Sequence, residues 1–191
     1  MNRLLLAIVI CSFILSSIAG NNETRAERRE REIILDSLKY NTAQNAMEQM
    51  QFVIKVDKVT LPSGKTIFIQ LAKMNFITVD DDYTIIQVAV PNIDTKFNEF
   101  GGITVDGLVT YQKLAETKKG DFILKYSVLG NYISAQVHIT LLNNSNRTIV
   151  RVIPNYKGGD VTLYGELLPA YDTTELSITP DLRNMKFRPG I

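Results

Sequence analysis

His138 is the first residue to consider for chemistry, because it is the only histidine in the sequence. Nucleophilic catalysis would need an activated Ser or Thr and an acidic partner beside it, and the nucleophile pattern G-x-S-x-G does not occur. A zinc site would need further nitrogen or sulfur ligands. His138 alternates with apolar residues in the run 132–141, so we expect it on the polar face of a strand and predict no catalytic role.

A second group with suitable atoms is the run Asp80-Asp81-Asp82, because carboxylate oxygens are the ligands that calcium prefers. A calcium loop spaces its ligands around a turn and usually ends in a glutamate. Three consecutive residues of an extended chain cannot all face one ion, since their side chains alternate. We therefore interpret the run as a polar hairpin turn and predict no metal site.

The third candidate is the glycine-rich stretch 100–112, FGGITVDGLVTYQ. A phosphate-binding loop needs a strand, a glycine turn and then the N-terminus of a helix. Here residues with β-strand periodicity follow the glycines, and no Lys-Ser or Lys-Thr pair does. We predict that Gly101 and Gly102 end a loop, that Gly107 relieves a bend or bulge in a long strand, and that no cofactor binds.

The first 20 residues have the three parts of a signal peptide. Arg3 is the basic segment, residues 4–15 form an apolar run too short to span a bilayer as a helix, and Ser17-Ile18-Ala19 is a cleavage motif. Cys11 lies within the apolar run, so we interpret it as an apolar residue rather than a lipid acceptor. We expect export to the periplasm or envelope of a Gram-negative bacterium, with no membrane span after cleavage.

The composition after cleavage excludes several classes of function. Residues 21–191 contain no cysteine, so they form no disulfide and no thiolate site. Without Arg3 there are 20 basic and 20 acidic residues, and this zero net charge gives no electrostatic reason to bind nucleic acid. The remaining chain is long enough for one domain with a sizeable core.

Two stretches before Gln51 have helical spacing. Residues 21–40 contain opposite charges four apart, such as Glu27 and Arg31, which predict a charged helical lead-in. Alanine and methionine residues at helical spacing follow, and they predict a short helix packed on a sheet. Asn41 or Thr42 would cap the start of this second helix.

From Gln51 to about Pro169 the hydrophobic period changes to two, in about nine runs joined by short turns. These runs predict a mainly β domain over residues 41–170, an antiparallel up-and-down meander with a short N-terminal helix. A flat sheet of this size would leave long edges and an unprotected face, so we expect a curved sheet, barrel or clam. The choice between a barrel and two packed sheets stays open. Residues 171–191 form a C-terminal tail that adds an edge strand or wraps the surface.

No acid–base constellation emerges, so we expect a non-catalytic domain and keep a hydrolase only as a remote alternative. The leading hypothesis is that the barrel mouth or clam cleft binds a small, partly apolar molecule. Its contacts would be rings with polar tips on long strands: Tyr111, Tyr126, Tyr132, His138 and Tyr164. The alternative is a structural or protein-interaction domain with a filled core, whose envelope partner docks on an exposed strand or along the charged helix. The oligomeric state stays open.

Several segments together resemble one known family. They are RAERRERE, NFITVDDD, GGITVDGLVTY, KKGDFILKYSVLG, ISAQVHITL and YGELLP. With the signal peptide, they resemble the exported bacterial proteins of the domain of unknown function 4251 family, best represented in the Bacteroidetes, over about residues 43–169. The sequence departs from that pattern in KFNEF before Gly101, and in Asp81-Asp82 where a glycine turn would be common. The family has no established activity or ligand, so the resemblance implies none.

Overall fold

A computed structural model of the chain describes residues 24–69, 75–89, 102–130, 133–155 and 159–170. The predicted signal peptide, Tyr132 and the predicted C-terminal tail lie outside these residues. The chain divides into two compact units, Met1–Leu35 and Asp36–Ile191. The second unit contains all of the strands described below.

The helix α1 runs from Arg25 to Glu48. At its start, the Thr24 hydroxyl accepts a hydrogen bond from the Glu27 N–H at 3.2 Å, and the Glu27 carboxylate accepts one from the Thr24 N–H at 2.8 Å. This reciprocal capping box satisfies two backbone donors. The expectation that Asn41 or Thr42 caps a separate helix is wrong, because both lie inside α1 and the lead-in continues through them.

Nine strands follow in the described part of the chain. Their bounds are β1 Gln51–Thr60, β2 Thr66–Phe68, β3 Asn75–Asp80, β4 Tyr83–Ala89, β5 Gly102–Glu116, β6 Phe122–Gly130, β7 Ala135–Leu141, β8 Arg147–Pro154 and β9 Val161–Pro169. The predicted turn between β3 and β4 is confirmed, and Asp81 adopts a φ of 54° there. Asp tolerates this left-handed conformation better than most residues, so no glycine is required.

The strands from β3 to β9 pair in chain order, each antiparallel to the next. β9 also pairs with β1, and the first half of β1 pairs with β3, so eight strands close into a barrel. β2 is the additional strand and pairs with the second half of β1. The predicted antiparallel meander is confirmed, and the β1–β9 pairing makes it a barrel rather than two packed sheets.

The barrel interior is filled by apolar side chains, which alternate along each strand with outward-facing residues. The largest of them are at most 1% exposed: Phe52, Ile54, Ile77, Ile86, Leu124, Tyr126, Ile139, Leu141, Leu163 and Leu167. Ala43, Ala46 and Met47 of α1 belong to the same cluster. A cavity large enough for water would leave part of these side chains accessible, so the space beside them is packed.

β5 is the longest strand, with 15 residues, and only Gly107 and Leu108 pair with a neighbouring strand on both edges. Residues 102–108 pair with β4 on one edge, whereas residues 107–116 pair with β6 on the other. A bulge between Val109 and Tyr111 leaves Thr110 without an opposite residue. α1 ends near this bulge, and its Tyr40 hydroxyl donates a hydrogen bond of 2.7 Å to the Gly120 carbonyl in the β5–β6 turn.

Gly107 lies inside β5, and no helix follows it, which agrees with the structural interpretation of the glycine stretch. The reason for the glycine differs from the predicted one, because the bulge lies three residues later at Thr110. A Cβ atom on residue 107 would lie 2.2 Å from the Leu129 carbonyl oxygen. Gly107 is therefore required by the close approach of two backbones.

Candidate functional site

Tyr126, one of the five predicted ligand contacts, is an interior residue. It is 1% exposed, and its hydroxyl lies 3.3 Å from the Thr84 hydroxyl, which in turn donates to the Thr78 carbonyl. Burial raises the pKa of the Tyr126 hydroxyl well above its ordinary value. Tyr126 is thus a hydrogen-bonded residue of the packed interior, where a buried ring of this kind stabilises the fold.

His138 lies on the outer face of the barrel, half-buried, in line with Lys125 on β6 and Arg151 on β8. Its pKa is lowered by partial burial and by the charges of Lys125 and Arg151, while Asp160 acts in the opposite direction. Asp160 is hydrogen-bonded to the Arg151 guanidinium, with Nε to Oδ2 at 2.8 Å. His138 therefore belongs to a charged cluster on the outer face, together with Lys125, Arg151 and Asp160.

Tyr164 also faces outward, on β9, where the Lys58 ammonium lies 3.7 Å from the centroid of its ring. This cation–π contact joins β9 to β1 across the closure of the barrel. Tyr132 lies outside the described residues. Among the described residues, the predicted ligand contacts therefore occupy separate places, one inside the barrel and the others on three different strands.

Tyr111 is the predicted residue that does take part in a candidate site. It is 60% exposed on the outer face, close to Leu108 and Leu129, which are 49% and 61% exposed and lie directly opposite each other on β5 and β6. Tyr83 lies opposite Leu108 on the other side, and its hydroxyl donates to Asp106 at 3.4 Å. We call Tyr83, Leu108, Tyr111 and Leu129 the β4–β6 patch.

The bulge at Thr110 decides that Tyr111 belongs to this patch. Simple alternation would place residue 111 on the same face as Val105 and Val109, which is the interior face. The extra residue shifts the alternation by one, so Tyr111 pairs with outward-facing Ser127. The two leucines could have been identified from the sequence. Leu108 and Leu129 lie at alternate positions of their strands where mostly polar residues are found, and these positions face outward.

An open groove of about 490 Å³ lies next to the patch. The end of α1, the β3–β4 turn and residues 109–112 of β5 form its walls. Its lining includes the carboxylates of Glu48, Asp81 and Asp82 and, among the residues that the structure describes, no basic side chain. A second open groove of about 430 Å³ lies on the other side of Thr110, between β6, β7 and β8.

The described residues contain no group of three or more His, Cys, Asp or Glu side chains able to hold a metal ion. Buried side-chain nitrogen and oxygen atoms in the same ranges all have hydrogen-bond partners. No helix in the part of the chain that the structure covers is long and apolar enough to cross a membrane. The candidate site is thus a surface of apolar side chains beside an acidic groove.

Comparison with known proteins identifies the family. The family model for the domain of unknown function DUF4251 matches residues 35–167, which include the whole patch and the groove. The chain belongs to the DUF4251 family. The crystal structure of a DUF4251 family protein from Bacteroides eggerthii shares 34% sequence identity with it, at a TM-score of 0.62. The alignment covers 72% of this chain and 91% of that chain.

The resemblance to DUF4251 proteins predicted from the sequence is therefore confirmed. No curated protein matches the chain. DUF4251 is a domain of unknown function, so a function for this chain has to be argued from its own structure.

Proposed function

We propose that this DUF4251 protein is an exported, non-catalytic β-barrel that binds a partner protein through its outer surface. The observation that carries the proposal is the β4–β6 patch. Its members Leu108, Tyr111 and Leu129 are each about half exposed or more and lie side by side on one face. Clustered apolar side chains on the surface of a soluble domain are typical of interaction sites.

The packed interior favours this surface function over a small molecule held inside the barrel. The inward side chains are almost fully buried, so a ligand there would have to displace them. The groove beside the patch has a volume in the range of small-molecule sites. It is open to solvent, however, and would cover too little of a small molecule to hold it well.

α1 offers a second exposed apolar group, within the first compact unit. Ile33, Ile34 and Leu35 are 70%, 53% and 47% exposed. This is the region where the sequence suggested docking along the charged helix. Because the backbone groups of a helix are bonded within the helix, these residues offer a partner side chains alone, so we base the proposal on the β4–β6 patch.

Photo-crosslinking in the native organism tests the patch. A photoreactive amino acid at Leu129 should yield an adduct of defined mass, and the double substitution Leu108→Ser and Tyr111→Ser should abolish it. Phe68 is the matched control, because it is 78% exposed on β2 and does not belong to the patch. The same adducts from positions 68 and 129, or none from 129, would contradict the proposal.

Export is tested separately. We expect the chain in the periplasmic or envelope fraction, with a mature N-terminus close to Asn21, because residues 1–20 have the parts of a signal peptide. A charge in the apolar run, as in Leu6→Arg, should keep the chain in the cytoplasm. An intact Met1 on the chain outside the cytoplasm would show that residues 1–20 are not cleaved.

A further inference from the structure

The second half of β5 has an edge without a strand beside it. Pairing with β4 ends at Leu108, and the Val109 N–H makes the last backbone bond on that edge, to the Asp82 carbonyl at 2.7 Å. Residues 111–116 pair with β6 on one side, and none of the described residues pairs with residues 110–116 on the other. We call this edge of residues 110–116 the free edge of β5.

The backbone groups on the free edge can be assigned from the hairpin. The Thr117 N–H donates to the Asp121 carbonyl at 2.9 Å and therefore faces β6. Because the direction of backbone groups alternates along a strand, the N–H and C=O groups of Gln112, Leu114 and Glu116 face the free edge. The three residues are exposed and span about 14 Å, so an extended segment could bond to all of them.

The side chains next to the free edge determine what such a segment would contain. Tyr111 lies on the outer face beside it, and Leu114, 38% exposed, lies on the opposite face. Alternate side chains of an added strand point to opposite faces, so apolar residues at alternate positions would contact each of them.

Charge around the groove limits the partner further. Glu48, Asp81 and Asp82 line the groove into which an added strand would extend, and no Lys or Arg lines it in the described part of the chain. The Gln51 amide donates a hydrogen bond of 3.2 Å to the Asp81 carboxylate. Because Gln51 is uncharged, this bond does not neutralise the carboxylate. A Lys or Arg in the added strand would complement the groove carboxylates.

A second copy of this chain is a poor occupant of the edge. Antiparallel self-pairing in the register that overlaps the whole of residues 110–116 would place the two copies of Lys113 directly opposite each other. Lys113 already lies opposite Lys125 on β6. Like charges in directly opposed positions are destabilising, and lysine is a common means by which exposed edges avoid self-pairing.

We infer that the partner adds an extended segment, apolar at alternate positions and carrying Lys or Arg, to the free edge of β5. This inference rests on the proposed surface-binding function, since it specifies the chemistry of the partner that the patch contacts. It is an instance of β-strand addition, in which main-chain hydrogen bonds supply affinity and alternate side chains supply specificity.

A displayed library of random peptides about twelve residues long is the probe, selected against the processed full chain purified from cells. We expect enriched peptides with alternating apolar residues and at least one Lys or Arg. On binding, hydrogen exchange should slow at the amides of Gln112, Leu114 and Glu116. Peptides with acidic rather than basic residues, or an unenriched library, would contradict the inference.

Two substitutions at the same position isolate the backbone contribution. Gln112→Pro removes an N–H from the free edge but no bond to β6, whereas Gln112→Ala keeps that N–H. We expect Gln112→Pro to weaken binding of the selected peptides about tenfold or more and Gln112→Ala to change it about twofold or less. Thermal unfolding of both variants checks that the fold is retained, and Leu114→Pro repeats the test two residues along.

The outcomes separate this inference from the proposed function. Equal binding to Gln112→Pro and Gln112→Ala would overturn strand addition. If the Leu129 adduct then persists, the surface function stands and only the mode of binding is wrong. If the adduct is also absent, both fail. Self-association of the wild-type chain through residues 110–116 would replace the partner segment by a second copy and would also overturn the inference.

Discussion

The closure of the barrel and the second half of β5 differ in how their strand edges are used. At the closure, β1 and β9 pair over almost their whole lengths, from Phe52 opposite Pro169 to Thr60 opposite Thr162. The second half of β5 leaves one edge without a strand in the described part of the chain. One region uses its backbone groups for stability, whereas the other keeps them available.

Side chains show the same contrast. On the outer face of the closure, the Arg147 guanidinium contacts Asp57 at 2.5 Å and Glu166 at 3.7 Å. These ion pairs link the three strands β8, β9 and β1. The hydrogen bonding of the Arg147 guanidinium, as donor, to the Asp57 carboxylate is the main reason why the pKa of Arg147 is raised. Beside the free edge, Tyr111 and Leu114 are exposed without such links. This difference is the basis of our proposal that a partner binds where the pairing of strands is incomplete.

The largest effect that we expect is a difference in the free energy of unfolding between substitutions in the two regions. Phe52→Ala empties a fully buried position on β1 and should lower the free energy of unfolding by about 3–5 kcal/mol. Leu114→Ala, on β5, should lower it by less than about 1 kcal/mol because Leu114 is partly exposed. Urea denaturation measures both, and similar losses would contradict the contrast.

The next effect tests the close packing of β1 on β9. A Cβ atom on Gly165 would lie 2.1 Å from the Lys55 carbonyl oxygen, so Gly165→Ala must push the two strands apart. We expect a loss of about 1–3 kcal/mol in the free energy of unfolding. An unchanged urea midpoint would show that the closure tolerates a wider strand spacing.

A smaller effect concerns the free edge itself. Lys113→Thr removes the charge that opposes self-pairing, so we expect dimers at concentrations where the wild-type chain is monomeric. Lys125→Thr is the matched control, because Lys125 is an exposed neighbour whose strand is paired on both edges. Analytical ultracentrifugation distinguishes them, and equal association of the two variants would argue against a free edge.

The ion pairs of Arg147 on the outer face of the closure should contribute less to the free energy of unfolding. Asp57→Asn removes one carboxylate from Arg147, and since both side chains are about 40% exposed or more, we expect a loss of at most about 1 kcal/mol. The loss should shrink at high salt, because screening weakens exposed ion pairs. A loss that does not depend on salt would indicate that Asp57 acts through hydrogen bonding alone.

The smallest effect depends on pH. The pKa of folded His138 is lowered, so the unfolded chain takes up a proton at a higher pH than the folded chain does. The contribution of His138 to stability is therefore present above its ordinary pKa and is lost as the pH falls below it. His138→Gln should remove this loss, so the stability difference between wild type and variant should decrease from about pH 7.5 to about pH 5. A constant difference would contradict the shift.

Alternation along single strands made much of the fold predictable. In β7 the apolar residues Ala135, Val137, Ile139 and Leu141 are buried, and His138 between them faces outward as expected. The same alternation in FILKYSVL places Tyr126 in phase with Leu124 and Val128, hence inside. The choice of Tyr126 as a ligand contact followed the chemistry of its ring rather than this phase.

The sequence by itself determined the strands, their turns, the family and the inward faces, because these follow from hydrophobic spacing and turn residues over short distances. Only the tertiary structure decided that β1 and β9 close a barrel, since their pairing joins residues about a hundred positions apart. It also decided that the bulge at Thr110 turns Tyr111 outward and that β5 extends beyond the end of its pairing with β4. The candidate site depends on those two features, because register and strand overhang are set by pairing between strands and are not encoded in the pattern of any one of them.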